Sequence, residues 1–264
     1  TLVRELDEAI HAAKPWVRFG ISPFGIWRPG YPASVRGFDA YEKLYADARK
    51  WLREGWVDYF TPQLYWPTTK VGQAYPVLLD WWASENVQQR HLWPGNYSSL
   101  AGGAGRTAFP VSDLVEQIRL TRLQPLASGN VHFSMTSFLK NQAGMNDTLV
   151  AGPYATPALP PETPWLKAPP PPMPAPRVVK TGGATQLRLV PQGKAAPWQW
   201  VVRLRTDTAW ITMILPGVTS SWTVPATITP TKVTVSALNR VGTESTPVSL
   251  PVATGSTSSP AGRF

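Results

Sequence analysis

The polar and aromatic residues that could contact a ligand are concentrated in four short segments, residues 22–28, 61–66, 95–97 and 134–137. The candidates for ligand contact are Trp27, Arg28, Gln63, Tyr65, Trp66, Asn96 and Tyr97. Tryptophan and tyrosine rings offer flat apolar faces edged by polar groups, which match the alternating C–H patches and hydroxyls of a sugar ring. The pattern therefore indicates a carbohydrate-binding cleft.

Each candidate also has a structural interpretation. Tryptophan packs readily in a core, and we favour that role for the residues on or beside predicted helices, which are Trp51, Trp56, Trp81 and Trp82. Gln63 and Tyr65 share one face of a strand, since side chains alternate, if Phe60 and Leu64 face the helices. The pair could bind a sugar, or it could belong to an internal hydrogen-bond network.

Cleavage of a glycosidic bond generally requires two carboxylates that flank it. Most acidic residues in the N-terminal half fall on predicted helices. Asp58 begins a strand, away from the end where chemistry is expected, and helix capping accounts for Asp39 and Asp147. The sequence shows no convincing acid pair, so either the pair lies upstream of Thr1, which we favour, or the protein only binds. The catalytic residues stay unknown.

Other chemistries find little support. The chain has no cysteine, and His11, His91 and His132 lack the close spacing of zinc-binding helices, so we expect neither a metal nor a cofactor. Residues 101–105 are glycine-rich but lack the Lys-Ser/Thr ending of a phosphate loop, and no G-x-S-x-G elbow is present.

A strand-then-helix rhythm positions the candidate residues. Strands are predicted at 16–22, 57–66, 90–94 and 130–135, and helices at 2–13, 39–54, 73–85, 112–123 and 146–151. Ser112 is the expected cap of its helix, and Gly55 is the expected stop after Glu54. Four strand–helix units predict an α/β fold: half of a (β/α)8 TIM-type barrel, with its ligand site at the carboxyl ends of the strands. Because the chain begins at Thr1 inside this rhythm, we expect about four more units upstream and regard the chain as a fragment.

A second region follows a proline-rich segment. We predict the half-barrel at 1–157, a proline-rich linker at 158–176, an all-β sandwich at 177–253 and a disordered tail at 254–264. Segments 186–190, 199–204, 210–215 and 232–238 alternate apolar and polar residues, as half-buried antiparallel strands do. Asn239 and Gly242 suit a hairpin turn there.

The net charge of +9 is unevenly distributed. Residues 1–165 carry 15 Lys and Arg against 14 Asp and Glu, whereas residues 166–264 carry 10 against 2. Such an excess favours an anionic partner, or it serves solubility alone. Nucleic acid is not expected, because the region lacks an aromatic platform or recognition helix.

Three ordered segments carry a family resemblance: residues 19–28 (FGISPFGIWR), 44–51 (LYADARKW) and 57–66 (VDYFTPQLYW). With the later Trp81-Trp82 and Phe133-Ser134, this part of the chain resembles the glycosyl-hydrolase-like family related to family 10 glycoside hydrolases. The resemblance implies a (β/α)8 barrel, hydrolysis of O-glycosidic bonds in peptidoglycan or a related bacterial polysaccharide, and an exported or lipid-anchored protein. Arg28, Gln63, Tyr65 and Trp66 match motif positions, and we expect these four side chains to meet at the edge where the parallel strands end. The acidic motif of the family has no counterpart here, which implies that this chain alone is inactive.

The region after the linker carries a second resemblance. Residues 233–245 (VTVSALNRVGTES) look like the penultimate strand and turn of a fibronectin type III domain, which implies a spacer or glycan-adhesion module. The sequence thus leaves two functions open: a bacterial glycoside hydrolase, or a non-catalytic carbohydrate-binding or wall-anchoring protein. Either is expected in the periplasm or outside the cell, and no apolar run is long enough for a transmembrane segment. The oligomeric state stays unknown.

Overall fold

A computed structural model describes residues 1–181, 184–193 and 196–252. The chain divides into two compact units, Thr1–Ala155 and Thr156–Phe264. The predicted tail at 254–264 lies outside the described residues. Within the described ranges, no helix has the length and apolar character needed to cross a membrane.

The first unit alternates helices with short strands. Its helices are α1 (Leu2–Ala13), α2 (Ala40–Leu44), α3 (Ala48–Arg53), α4 (Tyr75–Glu85), α5 (Val111–Leu123), α6 (Met135–Leu139) and α7 (Met145–Ala151). Its strands are β1 (Gly20–Ile21), β2 (Tyr59–Phe60), β3 (His91–Leu92), β4 (Gly95–Asn96) and β5 (Val131–His132). The predicted strand at 90–94 contains β3, and β4 lies just beyond it, in the segment expected to follow the strand.

All strand pairs in this unit are parallel and follow chain order. β1 pairs with β2, β2 with β3, and β4 with β5. Isolated parallel bridges extend the pairing, with Gln63 joined to both Phe24 and Gly95. The connections between neighbouring strands contain α2 and α3, then α4, then α5. The unit is therefore a run of consecutive parallel β–α repeats, as the sequence predicts.

The helices differ from the prediction in several places. The helix expected at 39–54 is two helices, because Tyr45 adopts a left-handed φ of 52° and Asp47 starts α3 by accepting a hydrogen bond from the Lys50 amide. Ser112 does not cap its helix, since α5 begins one residue earlier behind Pro110. The segment after β5 forms the unpredicted helix α6. Gly55 does follow α3 at a positive φ of 71°, as a helix-stopping glycine should.

The core of the first unit lies between the strands and the helices. Phe60 and Leu64 are fully buried there, and the Phe60 ring packs 4.9 Å from that of Trp82 on α4. Because side chains alternate along a strand, Tyr59, Gln63 and Tyr65 face the opposite side of the sheet. The predicted direction of Gln63 and Tyr65, away from the helices, agrees with this packing.

In the part of the second unit that the structure describes, the regular elements are β-strands and one short 3-10 turn at Pro164–Leu166. Its strands are β6 (Arg177–Thr181), β7 (Ala184–Arg188), β8 (Gln199–Arg205), β9 (Trp210–Pro216), β10 (Ser221–Thr223), β11 (Lys232–Leu238) and β12 (Val248–Pro251). They form two antiparallel sheets, one ordered β10-β7-β6 and the other β12-β11-β8-β9. Both sheets contribute to one apolar core, which includes Leu187, Trp200 and Val235.

The proline-rich segment hydrogen-bonds to the β-sheet unit. The buried Thr163 donates its amide to the Val241 carbonyl at 2.8 Å, and the Asn239 side chain donates to the Pro169 carbonyl at 3.1 Å. The Ala175 amide reaches the Val190 carbonyl at 2.9 Å. The segment predicted as a stiff spacer is thus attached to the second unit at several points.

Candidate functional site

The carboxyl ends of the parallel strands bring three segments of the first unit together. The Gln63 backbone bridges to Phe24 on one side and to Gly95 on the other. Its side-chain amide donates to the Ser22 carbonyl at 3.0 Å. Gly25 must lack a side chain here, because a Cβ would lie 2.2 Å from the Gln63 carbonyl oxygen. This close approach positions the loops that follow β1, β2 and β4.

Three aromatic rings meet at this edge, and we call them the aromatic rim: Tyr65, Tyr97 and Phe133. The Tyr65 ring lies 4.8 Å from that of Tyr97 and 5.9 Å from that of Phe133, while Tyr97 and Phe133 are 5.4 Å apart. Phe133 is 51% exposed, and the two tyrosines are half-buried. Burial, with a smaller contribution from Tyr97, raises the pKa of the Tyr65 hydroxyl, which therefore stays a neutral donor near pH 7.

Phe133 is the rim residue that the sequence left out of the candidates. Its position one residue past β5 matches that of Tyr97 one residue past β4, because Phe133 follows the same parallel register. The sequence indicates this position through the apolar–polar–apolar alternation of residues 131–133.

Trp66 lies beside the rim on a partly buried surface. Its ring meets that of Phe24 edge-on at 5.7 Å, and Phe24 in turn meets Phe38 at 5.5 Å. The Trp66 carbonyl accepts a hydrogen bond from Gln117 at 3.3 Å. Trp66 therefore combines packing against the core with a partly accessible ring face.

Trp27 and Arg28 belong to a different cluster. The Trp27 side chain is 9% exposed, stacks 6.2 Å from Trp81 and donates its indole N–H to Asp47 at 3.2 Å. Arg28 donates to Asp39 at 3.3 Å and lies over the Tyr41 ring. The expected meeting of Arg28 with Gln63, Tyr65 and Trp66 is thus not seen in these contacts, because the α2 capping residue holds the guanidinium.

Asn96 is wholly buried and presents no surface to a ligand in this structure. Its amide nitrogen donates to Gln117 at 2.8 Å, and its oxygen accepts from Asn130 at 2.8 Å. Gln117 donates onward to Asp113, and Asp113 accepts the Thr68 amide at 3.1 Å. This chain of buried groups ties α5 to the segments that carry Trp66 and Tyr97, so it positions the rim.

Three acidic residues in the connections between the strands have structural partners. Asp39 and Asp47 cap α2 and α3, and Asp113 holds Thr68 and Gln117. No second carboxylate accompanies Asp113 in those contacts. The geometry of the described residues therefore offers aromatic and amide contacts for a sugar, without an evident acid pair for cleaving it.

One group of described residues has ligand atoms close enough to hold a cation: Asp7, His11 and Asp58. The His11 ring contacts Asp58 at 3.0 Å and Asp7 at 3.3 Å, and Asp58 also accepts the Phe19 amide at 2.7 Å. Asp58 precedes β2, so this group lies at the amino end of the strands, opposite the rim. Its hydrogen bonds attach α1 to β2, in agreement with a structural role for Asp58.

The comparisons with known proteins agree with this picture for the N-terminal part of the chain. Residues 1–98 match the model of the family Glycosyl hydrolase-like 10. This part of the first unit is therefore glycosyl-hydrolase-like.

Two curated relatives extend the match. The chain is 40% identical over 173 residues to the glycosyl hydrolase YngK of Bacillus subtilis, which covers 62% of this chain and 34% of YngK. It is 41% identical over 86 residues to the glycosyl hydrolase DigH of Escherichia coli, covering 31% of this chain and 20% of DigH. The matched sequence thus spans about a third or less of each relative.

Among solved structures, this chain is similar to the spore cortex lytic enzyme SleM of Clostridium perfringens, and the match covers 80% of this chain and 85% of the SleM chain. The TM-score is 0.27 and the identity 12%. A likeness of that size supports no conclusion on fold or function.

Proposed function

We propose that the first unit is half of a (β/α)8 barrel and that its aromatic rim binds a polysaccharide. The observation that carries this proposal is the convergence of Tyr65, Tyr97 and Phe133 beside Gln63 at the carboxyl ends of consecutive parallel strands. Ligands bind at that end of (β/α)8 barrels. Exposed rings with adjacent hydroxyl and amide donors suit a sugar ring, whose two faces are apolar and whose edge is polar.

The substrate class that we propose is the glycan of bacterial peptidoglycan or a related wall polysaccharide. The match of residues 1–98 to a glycosyl-hydrolase-like family supports a glycan ligand, and both curated relatives are named glycosyl hydrolases. An exported location, periplasmic or outside the cell, follows from that substrate and is part of the same proposal.

We further propose that hydrolysis of O-glycosidic bonds requires carboxylates that this chain does not supply. The rim has no evident acid pair, and the relatives are about three or more times longer than the matched region. The chain by itself then binds glycan without cleaving it. A purely carbohydrate-binding or wall-anchoring protein is the second candidate, and the same missing pair favours it.

The second unit is proposed to be a fibronectin type III-like sandwich. Its support is the division of seven described strands into antiparallel sheets of three and four that share one core. The turn at Asn239 and Gly242 falls directly after β11, and the Gly242 φ of 85° suits a hairpin-type turn. No catalytic role is assigned to this unit.

The test separates binding from cleavage. Peptidoglycan stripped of its peptides is incubated with the 264-residue chain, with Tyr65→Ala and Tyr97→Ala, and with Tyr45→Ala as a control at a 91% exposed tyrosine away from the rim. Pull-down of the chain is expected to fall about tenfold in the two rim variants and to be unchanged in the control. Equal binding by all four proteins would remove the rim from the proposal.

Cleavage is measured on the same glycan as new reducing ends. No release is expected from this chain, and release is expected from a longer protein that includes it. A longer protein that binds but releases nothing from any wall glycan would favour the second candidate. Release by the 264-residue chain itself would contradict our placement of the carboxylates.

A further inference from the structure

The β-sheet unit has a concavity of its own, at one end of β8 and β11. It measures about 300 Å³, which is the lower end of the size range for small-ligand sites. Trp198 and Arg240 border it, Trp200 lies at its base, and Pro171 and Pro172 of the proline-rich segment form one wall. Trp198 is 47% exposed whereas Trp200 is 1% exposed, so only the Trp198 ring is available to a ligand.

The residues that border this concavity are held by the backbone around them. The Trp198 amide donates to the Leu238 carbonyl at 2.9 Å, and the Trp198 carbonyl accepts from Gly217 at 3.1 Å. The Asn239 side chain accepts the amides of Val241 and Thr243 and donates to Pro169. Arg240 therefore projects from a fixed turn, and little ordering is needed when a ligand binds.

Arg240 is arranged as an anion receptor. Its guanidinium carbon lies 4.2 Å from the centroid of the Trp198 ring. A guanidinium held over a ring face by a cation–π contact can still donate its N–H groups to an anion beside the ring. Among the described residues no carboxylate forms an ion pair with it, whereas Arg203 of the same unit is paired with Glu244. A guanidinium binds a carboxylate most strongly through two parallel N–H···O hydrogen bonds.

The charge of this region favours the same kind of ligand. Residues 166–264 carry 10 Lys and Arg against 2 Asp and Glu. A surface with this excess attracts anions and repels cations over a distance of roughly 10 Å at 0.1 M salt. A proline-rich peptide could also pack on an exposed tryptophan, but its proline residues would form no ion pair with Arg240.

We propose that this concavity is a second carbohydrate site, which binds an acidic oligosaccharide by placing one sugar against the Trp198 face that Arg240 leaves uncovered and the carboxylate of a neighbouring sugar on Arg240. Uronic acids and sugars that carry a lactyl ether have the required combination of an apolar ring face and a carboxylate. The site lies within the second unit, and its existence does not depend on the proposed function of the first.

The experiment measures binding of hexagalacturonate to the 264-residue chain by calorimetry at 50 mM salt. Its fully methyl-esterified form is the matched ligand without charge. Arg240→Gln is expected to weaken hexagalacturonate binding about tenfold, since a charge-assisted hydrogen-bond pair is lost. Trp198→Ala is expected to weaken it about fivefold, and the methyl ester should bind the wild type as weakly as the acid binds Arg240→Gln.

The chain offers a matched control. Arg205 lies over the exposed Trp210 ring at 5.9 Å, so it has the same pairing of side chains on the same unit outside the concavity. Arg205→Gln and Trp210→Ala should leave the affinity within twofold of wild type. The proposal is overturned if Arg205→Gln weakens binding as much as Arg240→Gln does, because net charge then explains the attraction. It is equally overturned if the ester binds as tightly as the acid, or if Trp198→Ala, folded by circular dichroism, binds like wild type.

Discussion

Replacing Gln117 with leucine tests the buried network that positions the rim. The Gln117 side chain is fully buried and makes three hydrogen bonds, to Asp113 and Asn96 at 2.8 Å and to the Trp66 carbonyl at 3.3 Å. Leucine has a similar volume and restores none of them. It leaves the buried Asn96 amide nitrogen without its partner, and an unsatisfied buried polar group costs about 1–3 kcal/mol. The half-buried Asp113 carboxylate loses one donor but keeps the amide and hydroxyl of Thr68.

Allowing for the apolar gain of leucine, we expect Gln117→Leu to lower the free energy of unfolding of the first unit by about 2 kcal/mol. For a unit of this size, that corresponds to a fall of about 4–8 °C in its melting temperature. Thermal unfolding followed by calorimetry on the whole chain is the assay. Arg119→Gln, on the exposed side of the same helix α5, is the control and should melt as the wild type does, since its partner Glu116 is also at the surface.

A second variant separates the lost hydrogen bonds from a simple change of shape. Gln117→Glu keeps an oxygen for Asn96 but places a carboxylate against Asp113, so it should be less stable than Gln117→Leu at pH 7 and recover as the pH falls and the new carboxyl regains a proton. If Gln117→Leu melts within 2 °C of wild type, or if Gln117→Glu shows no recovery in acid, the network does not hold α5 to the rim segments.

Three further predictions concern other contacts. Gly25→Ala should destabilise the first unit by about 2 kcal/mol and weaken glycan pull-down, because the Cβ of the alanine would clash with the Gln63 carbonyl. Unchanged stability would refute the close approach of the two segments. Burial lowers the pKa of His132 to about 4 from 6.5, so the contribution of neutral His132 to stability is complete above pH 6.5 and is lost as the pH falls toward 4. The melting temperature of His132→Gln should therefore depend less on pH across that window than that of the wild type. An identical pH dependence of the two proteins would contradict this. Arg203, chiefly through its hydrogen bonds, lowers the pKa of Glu244, so the stabilisation by ionised Glu244 is present above its unfolded pKa and is lost in acid. In urea unfolding, Glu244→Gln should lower the stability of the second unit by about 2 kcal/mol at pH 7 and by little at pH 3. A loss of stability that is independent of pH would argue against an ionic contact.

The fold class was predictable because it depends on local patterns. The 3.6-residue periodicity of α1, α4 and α5 and the apolar alternation around Phe60 and Leu64 are written in consecutive residues. Strand–helix alternation then leaves few topologies, since parallel neighbours require a crossover. The break of the 39–54 helix was not predictable in this way, because Asp47 caps α3 and also binds the Trp27 indole from another segment.

The sequence by itself determined which kinds of side chain reach the carboxyl ends of the strands, since strand order and alternation place Gln63, Tyr65 and Tyr97 there. Only the tertiary structure decided which of them stay exposed. Trp27 and Asn96 have the right chemistry and the right place in the chain, yet packing against Trp81 and hydrogen bonding to Gln117 take them into the interior. Exposure depends on neighbours distant in sequence, and no local pattern encodes those neighbours.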